Sequence, residues 1–204
     1  MGWLNRAHLA ALRFEAFAAS WWHALRPLQR GPERTIRLSW ERFREASRNG
    51  AGPVTELDGV IDRVARELST HAVALVLIDV WRQHGNAGLQ ARMDENVRTH
   101  LAPLLAAARE AGILVVHSHG RQPVHELATP RPNEIVLRNY DPRALNLVCR
   151  RLGVTHLIYA GYVSNMCIIN RPVGVFSMNK RGYDIVVVRD ASLAMESPAS
   201  LVDQ

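Results

Sequence analysis

Cysteine is scarce in this sequence: its 204 residues include only Cys149 and Cys167. Two cysteines cannot form the disulfide framework on which small secreted domains depend, and their spacing matches no zinc-binding pattern. Free thiols are typical of proteins that reside in a reducing compartment. We therefore expect a cytoplasmic protein without disulfide bonds.

Lysine is nearly absent, because 24 of the 25 basic residues are arginines and only Lys180 is not. The formal net charge of +6 divides evenly, with +3 in residues 1–70 (11 basic minus 8 acidic) and +3 in residues 71–204 (14 minus 11). Acidic residues are interleaved with the basic ones in both parts. Since no segment concentrates the positive charge, the composition does not indicate a nucleic-acid partner.

Long uncharged apolar runs are missing as well. The best candidate, residues 3–25, is rich in Ala, Leu, Phe and Trp. It is interrupted by Arg6, His8, Arg13, Glu15 and His23. A membrane-spanning helix needs about 20 consecutive apolar residues, and no signal-peptide cleavage site follows the segment. We predict an amphipathic helix that packs on the domain or on a neighbouring subunit of a homo-oligomer; contact with a membrane surface is the less favoured alternative.

The length of the chain suits one compact domain with an extension rather than two domains. We assign residues 1–68 to the extension and residues 69–204 to the domain. Residues 28–56 are rich in Arg, Gly and Pro and are interpreted as an arm, with a short helix at residues 36–45. Residues 57–68 have apolar positions at helical spacing and are predicted to form a helix that leads into the domain.

Apolar runs alternate with helical patterns throughout the predicted domain. The run VALVLID at residues 73–79 is almost continuously apolar, as in a central parallel strand buried on both faces. The alternation predicts an α/β fold, a three-layer α/β/α sandwich with a doubly wound, mostly parallel sheet. Further strands are predicted at residues 113–116, 134–138, 156–160 and 184–189, and helices at residues 93–111 (ending at Gly112), at residues 144–152 and after Cys167.

Three side chains of catalytic type stand at or just beyond predicted strand ends: Asp79, Arg138 and Cys167. In doubly wound folds, ligands bind at the carboxyl ends of the strands. Cys167 begins a segment with helical spacing, and the positive end of a helix dipole lowers the pKa of a thiol. The arginine would then stabilise a thiolate and the aspartate would accept its proton. Taken singly, each residue also has a structural explanation: a loop-capping aspartate, a surface arginine and a buried, inert cysteine.

The motifs around these residues resemble the isochorismatase-like cysteine hydrolases. They are VALVLIDVW at Asp79 and YAGYVSNMCI at Cys167, followed by GYDIVVVRDA. The superfamily includes nicotinamidases, N-carbamoylsarcosine amidase and ureidoacrylate amidases. The resemblance covers residues 73–191 and implies a sheet of five to six strands in the order 3-2-1-4-5. It also implies hydrolysis of a carbon–nitrogen bond of a small-molecule amide through a thioester acyl-enzyme.

The resemblance also implies roles for individual residues. Asp79 corresponds to the general base and Cys167 to the nucleophile. The peptide bond between Tyr162 and Val163 is expected to be cis, and the backbone N–H groups of Val163 and Cys167 are expected to form the oxyanion hole. The family's catalytic lysine falls at Arg138, which keeps the positive charge but cannot exchange a proton. Arg138 is therefore predicted to act as a fixed charge.

The sequence departs from the family in two further ways. The Asp-x-His pattern of the metal-binding nicotinamidases is absent, so no cofactor is expected. The sequence ends soon after Asp190, where the family continues through another helix and strand, so we expect an incomplete sheet edge from a short or truncated chain. Together with the replaced lysine, these departures leave an alternative open: a catalytically silent scaffold that binds a metabolite or a protein partner.

Polar and aromatic residues near the motifs are the candidate contacts of a small-molecule substrate. His84, His117 and Asn165 are the predicted polar contacts. Trp81 and Tyr162 are predicted to form an apolar wall of the pocket.

Histidines could also bind a metal ion, and the candidate ligands are His84, His117, His119 and His125. His117 and His119 alternate along a strand end, so their side chains point the same way, with His84 and His125 near them in the sequence. Because no acidic ligand stands at a suitable spacing, a metal site is not favoured. Cys149, in the middle of a predicted helix, is expected in the core.

Overall fold

A computed structural model describes residues 30–44 and 59–197 of the chain. The amphipathic helix predicted at residues 3–25 lies outside the described residues. Within them, no helix is both long enough and apolar enough to cross a membrane. The described strands form two sheets, a two-stranded ribbon and a five-stranded sheet.

The ribbon consists of two antiparallel strands, β1 (Thr35–Arg44) and β2 (Val60–Ser69). The predictions of a short helix at residues 36–45 and of a lead-in helix at residues 57–68 are therefore wrong. The extension is a β-structure wherever it is described, and the predicted domain limits remain a prediction.

The misassigned helix has a physical explanation in its apolar spacing. Val60, Val64 and Leu68 stand four residues apart, and side chains at this spacing share a face both on a helix and on a strand. Apolar periodicity alone therefore could not distinguish a helix from a strand in this segment. The tertiary contacts decide, because Ile36, Leu38 and Leu68 pack against the domain core only from paired strands.

The five-stranded sheet is parallel throughout and forms the centre of the domain. Its strands are β3 (Val73–Ile78), β4 (Leu114–Ser118), β5 (Ile135–Val136), β6 (His156–Tyr162) and β7 (Asp184–Leu193). Their order is β5–β4–β3–β6–β7. Counted from the first strand of the domain, this is the order 3-2-1-4-5 that the resemblance implied, and the α/β fold class is confirmed.

Four α-helices among the described residues accompany the sheet: α1 (Ala87–Asn96), α2 (Ala102–Ala111), α3 (Pro142–Arg151) and α4 (Val175–Asn179). A π-helical turn, Val97–Leu101, joins α1 to α2, so the helix predicted at residues 93–111 begins earlier and is not uniform. The turn widens next to Pro103, which has no N–H to donate to the preceding turn. Gly112 ends α2 with φ of 75°, as predicted.

Successive side chains of β3 enter two separate cores, which explains its continuous apolar run. All six residues of β3 are buried. Its odd-numbered residues pack with Met93 of α1 and Leu105 of α2, and its even-numbered residues pack with Leu145 and Val148 of α3. A strand covered on both faces has no polar side, as the sequence pattern predicted.

The segment after β6 differs from the continuous helix predicted there. Cys167 lies in a five-residue π-helical turn, Ser164–Ile168, and a second turn separates it from α4. Pro172 cannot donate a helical hydrogen bond at this point. Gly174 allows the chain to fold back, because a Cβ at this position would lie 2.4 Å from the carbonyl oxygen of Ile168. Cys167 is therefore not in the first turn of a long helix.

The close approach of β6 to β3 at Gly161 predicts a strong substitution effect. A Cβ at Gly161 would lie 2.1 Å from the carbonyl oxygen of Ile78, and its φ is 120°. We expect Gly161→Ala to lower the free energy of unfolding by at least about 2 kcal/mol, measured by urea unfolding. Gly153→Ala is the matched control, because φ is 71° there and no atom lies within 4 Å of the added Cβ. It should lose only about 1 kcal/mol. Equal losses in the two variants would contradict the close approach.

Candidate active site

Asp79 directly follows β3 at the carboxyl edge of the sheet. The residue is buried, with 1% of its surface exposed. Its backbone turns with φ of 50°, and its N–H donates to the carbonyl oxygen of Ser118 at the end of β4 (2.9 Å). Since an uncompensated charge is costly to bury, a carboxylate at this place requires close partners.

Two side chains from different parts of the chain bind the two oxygens of the Asp79 carboxylate. The Tyr140 hydroxyl donates to Oδ1. Arg171 donates to Oδ2 through Nε (2.8 Å) and Nη2 (2.7 Å). The guanidinium also lies over the Tyr140 ring, 4.3 Å from its centroid. The three groups form one connected cluster.

Arg138, the predicted cation, is not part of this cluster. Its side chain is exposed, and among the described residues no hydrogen bond or ion pair joins it to Asp79. The expectation that Arg138 supplies the fixed charge of the site is therefore wrong, because Arg171 is the cation that pairs with Asp79. Arg138 instead lies near His119, whose pKa is lowered mainly by burial and to a smaller extent by neighbouring charges.

Cys167 stands beside the carboxylate and is half-buried. Asp79 and the backbone of Val163 lie close enough to its sulfur to shift the pKa of the thiol, and all three residues line one cavity. The peptide bond between Tyr162 and Val163 is cis, as the resemblance implied. The structure thus brings together two of the three predicted catalytic residues, Asp79 and Cys167. The oxyanion hole formed by Val163 and Cys167 remains a prediction.

The surroundings of Cys167 raise its pKa, so the expectation of a lowered value is wrong. Burial raises the pKa of the thiol most, and the hydrogen bond and negative charge of Asp79 raise it further. The N–H of Val163 and the charge of Arg171 act in the opposite direction. Because the cysteine is not at the start of a long helix, no helix dipole offsets these effects. The resting residue is therefore a thiol rather than a thiolate.

A cavity of about 130 Å³ opens onto Asp79 and Cys167. It is lined by Asp79, Trp81, His84, Met93, Tyr162, Val163, Met166, Cys167 and Met195. Of the predicted substrate contacts, Trp81, His84 and Tyr162 are among these residues. The Tyr162 hydroxyl donates to Asn96 Oδ1 (3.0 Å), and the Trp81 and His84 rings are stacked with centroids 6.0 Å apart. The walls are thus mainly apolar side chains, and contacts with neighbouring residues hold Tyr162 and Trp81 in place.

A family model described as the isochorismatase domain matches residues 73–200 of the sequence. The chain belongs to the isochorismatase family. Its solved neighbours include an isochorismatase from Pseudomonas putida KT2440, with 26% identity, 65% of this chain and 80% of that chain covered, and a TM-score of 0.52.

Two further isochorismatase-fold structures are similar to the chain. A family protein from Desulfovibrio vulgaris subsp. vulgaris str. Hildenborough is 22% identical, with 65% of this chain and 86% of that chain covered and a TM-score of 0.50. A cysteine hydrolase from Pseudomonas syringae pv. phaseolicola 1448A is 19% identical, with 64% and 76% covered and a TM-score of 0.51. At these identities the similarity shows the shared fold. A search of curated proteins finds no significant match.

Two predicted substrate contacts of this isochorismatase-family chain lie outside the cavity. Asn165 is exposed, and its side chain donates to the Met195 carbonyl (3.0 Å) and accepts from the Met195 N–H (3.0 Å). Asn165 therefore contacts Met195, which lines the cavity, but is not itself one of the lining residues. His117 is buried, with Nε2 at 2.7 Å from Glu134 Oε2, and Glu134 also pairs with Arg109. Both predictions are wrong in position, because polar partners elsewhere engage these side chains.

The four histidines considered as metal ligands have separate partners. Nδ1 of His119 hydrogen-bonds to the Gln122 carbonyl (2.7 Å), Nδ1 of His84 accepts from a backbone N–H (3.0 Å), and His125 does likewise (3.2 Å). His117 binds Glu134. Across residues 30–44 and 59–197, no three His, Cys, Asp or Glu side chains are grouped to hold a metal ion.

A second cavity, of about 200 Å³, lies at the opposite edge of the sheet. Four arginines are among its lining residues: Arg30, Arg34, Arg109 and Arg131. Although it is larger, it contains neither Asp79 nor Cys167. The smaller cavity is therefore the candidate active site, because the Cys167 thiol and the Asp79 carboxylate meet there.

Arg171 and Tyr140 are the residues of the site that the sequence reasoning missed. Arg171 had a usable signal, because it stands four residues after Cys167 and its N–H donates to the Cys167 carbonyl (2.9 Å), as in one helical turn. Tyr140 had none. It reaches Asp79 past Gly120, where a Cβ would lie 2.8 Å from the tyrosine hydroxyl oxygen.

The raised pKa of the Cys167 thiol predicts the pH dependence of its alkylation. With iodoacetamide, the rate should rise with pH with a midpoint above the free-cysteine value of about 8.5. Asp79→Asn removes a negative charge and should lower the midpoint, whereas Arg171→Gln removes a positive charge and should raise it. Cys167→Ser controls for Cys149, which is fully buried and whose pKa burial raises to about 12. A wild-type midpoint at or below 8.5, or equal shifts in both variants, would contradict this environment.

Proposed function

We propose that this isochorismatase-family chain is a cysteine hydrolase that cleaves a carbon–nitrogen bond of a small-molecule amide. The observation that carries the proposal is the meeting of the Cys167 thiol and the buried Asp79 carboxylate at one cavity. A nucleophile within hydrogen-bond reach of its base is the arrangement that covalent catalysis needs. Cys167 is the proposed nucleophile and Asp79 the proposed general base.

The first half of the reaction forms an acyl-enzyme. Asp79 takes the proton of Cys167 as the sulfur attacks the amide carbonyl carbon. The resulting oxyanion accepts hydrogen bonds from the backbone N–H groups of Val163 and Cys167. Asp79 then gives the proton to the leaving nitrogen, the carbon–nitrogen bond breaks, and a thioester to Cys167 remains.

The second half returns the enzyme to its resting state. Asp79 takes a proton from a water molecule, and the hydroxide attacks the thioester carbonyl. The carbon–sulfur bond breaks, the carboxylic acid leaves, and the sulfur recovers the proton from Asp79. One proton thus moves between Asp79 and the reacting groups in each half.

Arg171 and Tyr140 are proposed to keep Asp79 available as a base. Arginine stays charged throughout and cannot take the mobile proton. Burial raises the pKa of Tyr140, and its hydrogen bond to Asp79 raises it further, so the phenol also keeps its proton. Neither group therefore competes for the proton that Asp79 must exchange.

The cavity favours a small, uncharged substrate. Sites for drug-sized ligands usually enclose about 300–1,000 Å³, whereas this one encloses about 130 Å³. Methionine and aromatic side chains form most of its wall, and the Arg171 charge that could attract an anion is already paired with Asp79. A compact amide with an apolar body fits these walls better than a peptide or a charged metabolite.

The alternative, a catalytically silent scaffold that binds a metabolite or a protein partner, depended largely on the missing lysine. Arg171 supplies a positive charge at Asp79, which removes that reason. Two features of the proposal rest on sequence alone: the cytoplasmic location, inferred from the scarcity of cysteine, and the absence of a nucleic-acid partner, inferred from the dispersed charge.

Hydrolysis of small primary amides tests the reaction directly. With ammonia release as the readout, we expect the wild type to hydrolyse at least one member of a panel of compact apolar amides. Cys167→Ala should abolish this activity, and Cys149→Ser is the matched control that should retain it. Mass spectrometry of the quenched enzyme should find the acyl group on the peptide that contains Cys167. Turnover that persists in Cys167→Ala would refute the proposed nucleophile.

Substitutions at two arginines separate the roles of Arg171 and Arg138. Arg171→Met removes the charge beside Asp79, and loss of such a contact typically costs about 2–4 kcal/mol, so kcat should fall roughly a hundredfold or more. Arg171→Lys keeps the charge but loses the fork geometry and should lose less. Arg138→Met, the control, should stay within about threefold of wild type. The assignment fails if Arg138→Met is the more damaging of the two methionine variants.

A further inference from the structure

The ribbon of β1 and β2 packs against the domain at its base and has an exposed apolar pair near its other end. At its base, Ile36, Leu38 and Leu68 pack against the domain core. Near its other end, the cross-strand pair of Phe43 and Ile61 is 62% and 63% exposed. An isolated two-stranded ribbon is only marginally stable in water, and exposed large apolar side chains next to each other mark contact surfaces. This end of the ribbon therefore has the features of a contact surface.

The hydrogen-bonding phase of the ribbon defines its free edge. Thr70 donates its N–H to the Arg34 carbonyl (2.8 Å), and the register then continues without a shift through ten residue pairs. Even-numbered residues of β1 therefore hydrogen-bond to β2, and odd-numbered residues direct their N–H and C=O groups outward. Among residues 30–44 and 59–197, no other strand pairs with this edge. Such an edge is a template for another strand.

We propose that β1 pairs antiparallel with β1 of a second copy of this chain, about a two-fold axis at Ser39. The two ribbons then form one four-stranded sheet with the order β2–β1–β1–β2. Ser39 directs its backbone groups outward, so it can face its own counterpart as a hydrogen-bonded pair. The contact extends over most of β1, about 33 Å for ten residues.

The charges on the ribbon are self-complementary in this register. Arg37 faces the partner's Glu41, and the two-fold axis repeats the pair. Within one chain, Arg37 is opposite Glu67 and Glu41 is opposite Arg63. Each row across the four strands therefore alternates in sign, from Glu67 through Arg37 to the partner's Glu41 and the partner's Arg63. Opposite charges on directly facing residues stabilise a sheet.

Neighbouring registers lack this complementarity. An axis at Leu38 would place Arg37 opposite the partner's Ser39, and an axis at Trp40 would place it opposite the partner's Phe43. Neither arrangement brings opposite charges face to face. The sequence of β1 thus favours one register of self-pairing.

The outward residues of β1 are exposed along its whole length, from Thr35 to Phe43. The outward residues Ile61, Arg63, Ala65 and Glu67 of β2 are exposed too, so only the Ser69 end of β2 distinguishes its edge from that of β1. The edge of β2 would also allow a charge pairing, between Arg63 and the partner's Glu67. It ends, however, at Ser69, which is half-buried and whose hydroxyl is engaged by Glu33 and by the His71 N–H (3.0 Å). We therefore assign the contact to β1.

Complementary charge reversals in the full chain test the pairing. The wild type should sediment as a dimer. Arg37→Glu places two carboxylates at each contact and Glu41→Arg places two guanidiniums there, so each variant alone should weaken the dimer at least about tenfold. An equimolar mixture pairs opposite charges at both contacts and should recover a dimer with one copy of each variant by native mass spectrometry. A monomeric wild type, undiminished single variants, or a mixture that does not recover would each overturn the proposal.

Cysteine cross-linking tests the register separately. In a hydrogen-bonded antiparallel pair the Cα atoms are about 5.5 Å apart, which is within disulfide range. Ser39→Cys should therefore give an oxidised dimer on a non-reducing gel. Thr35→Cys is the matched control, because it carries the same native cysteines but lies far from the axis. Ala65→Cys reports pairing through β2. Cross-linking of either of these variants in preference to Ser39→Cys would overturn the assignment.

Discussion

The contact between the buried Asp79 carboxylate and the Arg171 guanidinium is the interaction on which the candidate site depends. A buried charge without a partner would be penalised by several kcal/mol or would be neutralised by a proton. Arg171 is one turn beyond Cys167, so the same short segment delivers both the cation and the thiol to Asp79. Tyr140 occupies the remaining carboxylate oxygen. The carboxylate thereby joins three segments that are distant in sequence.

This arrangement differs from a thiol activated by a helix dipole or by a free cation. The surroundings of Cys167 favour the protonated sulfur, and the nearest acceptor for its proton is Asp79 itself. Of the groups in contact with Asp79, only the thiol can release its proton at moderate pH, since Arg171 and Tyr140 retain theirs. A base whose other contacts are fixed donors remains free to exchange a proton with the nucleophile and with the other reacting groups. The amide substrate and the thioester remain proposals built on this geometry.

The ribbon and the domain differ in how far their apolar side chains are buried. The domain hides both faces of β3 between two cores, so its sequence is apolar without interruption. The ribbon has one face against the domain at its base and charged residues on the other, and its distal apolar pair is uncovered. The domain buries both faces of β3 within its own cores. The ribbon, in contrast, has a strand edge with which no other described strand pairs.

The sequence by itself determined the α/β class, the strands of the sheet and, through the family resemblance, the strand order, the cis peptide and the meeting of Asp79 with Cys167. These features depend on local apolar runs and on motifs that stand next to the residues concerned. Only the tertiary structure decided that Arg171 rather than Arg138 pairs with Asp79, because both follow strands of the sheet and only the path of the chain sets their distance to the carboxylate. It also decided that the ribbon is not helical, because side chains four residues apart share a face in either conformation.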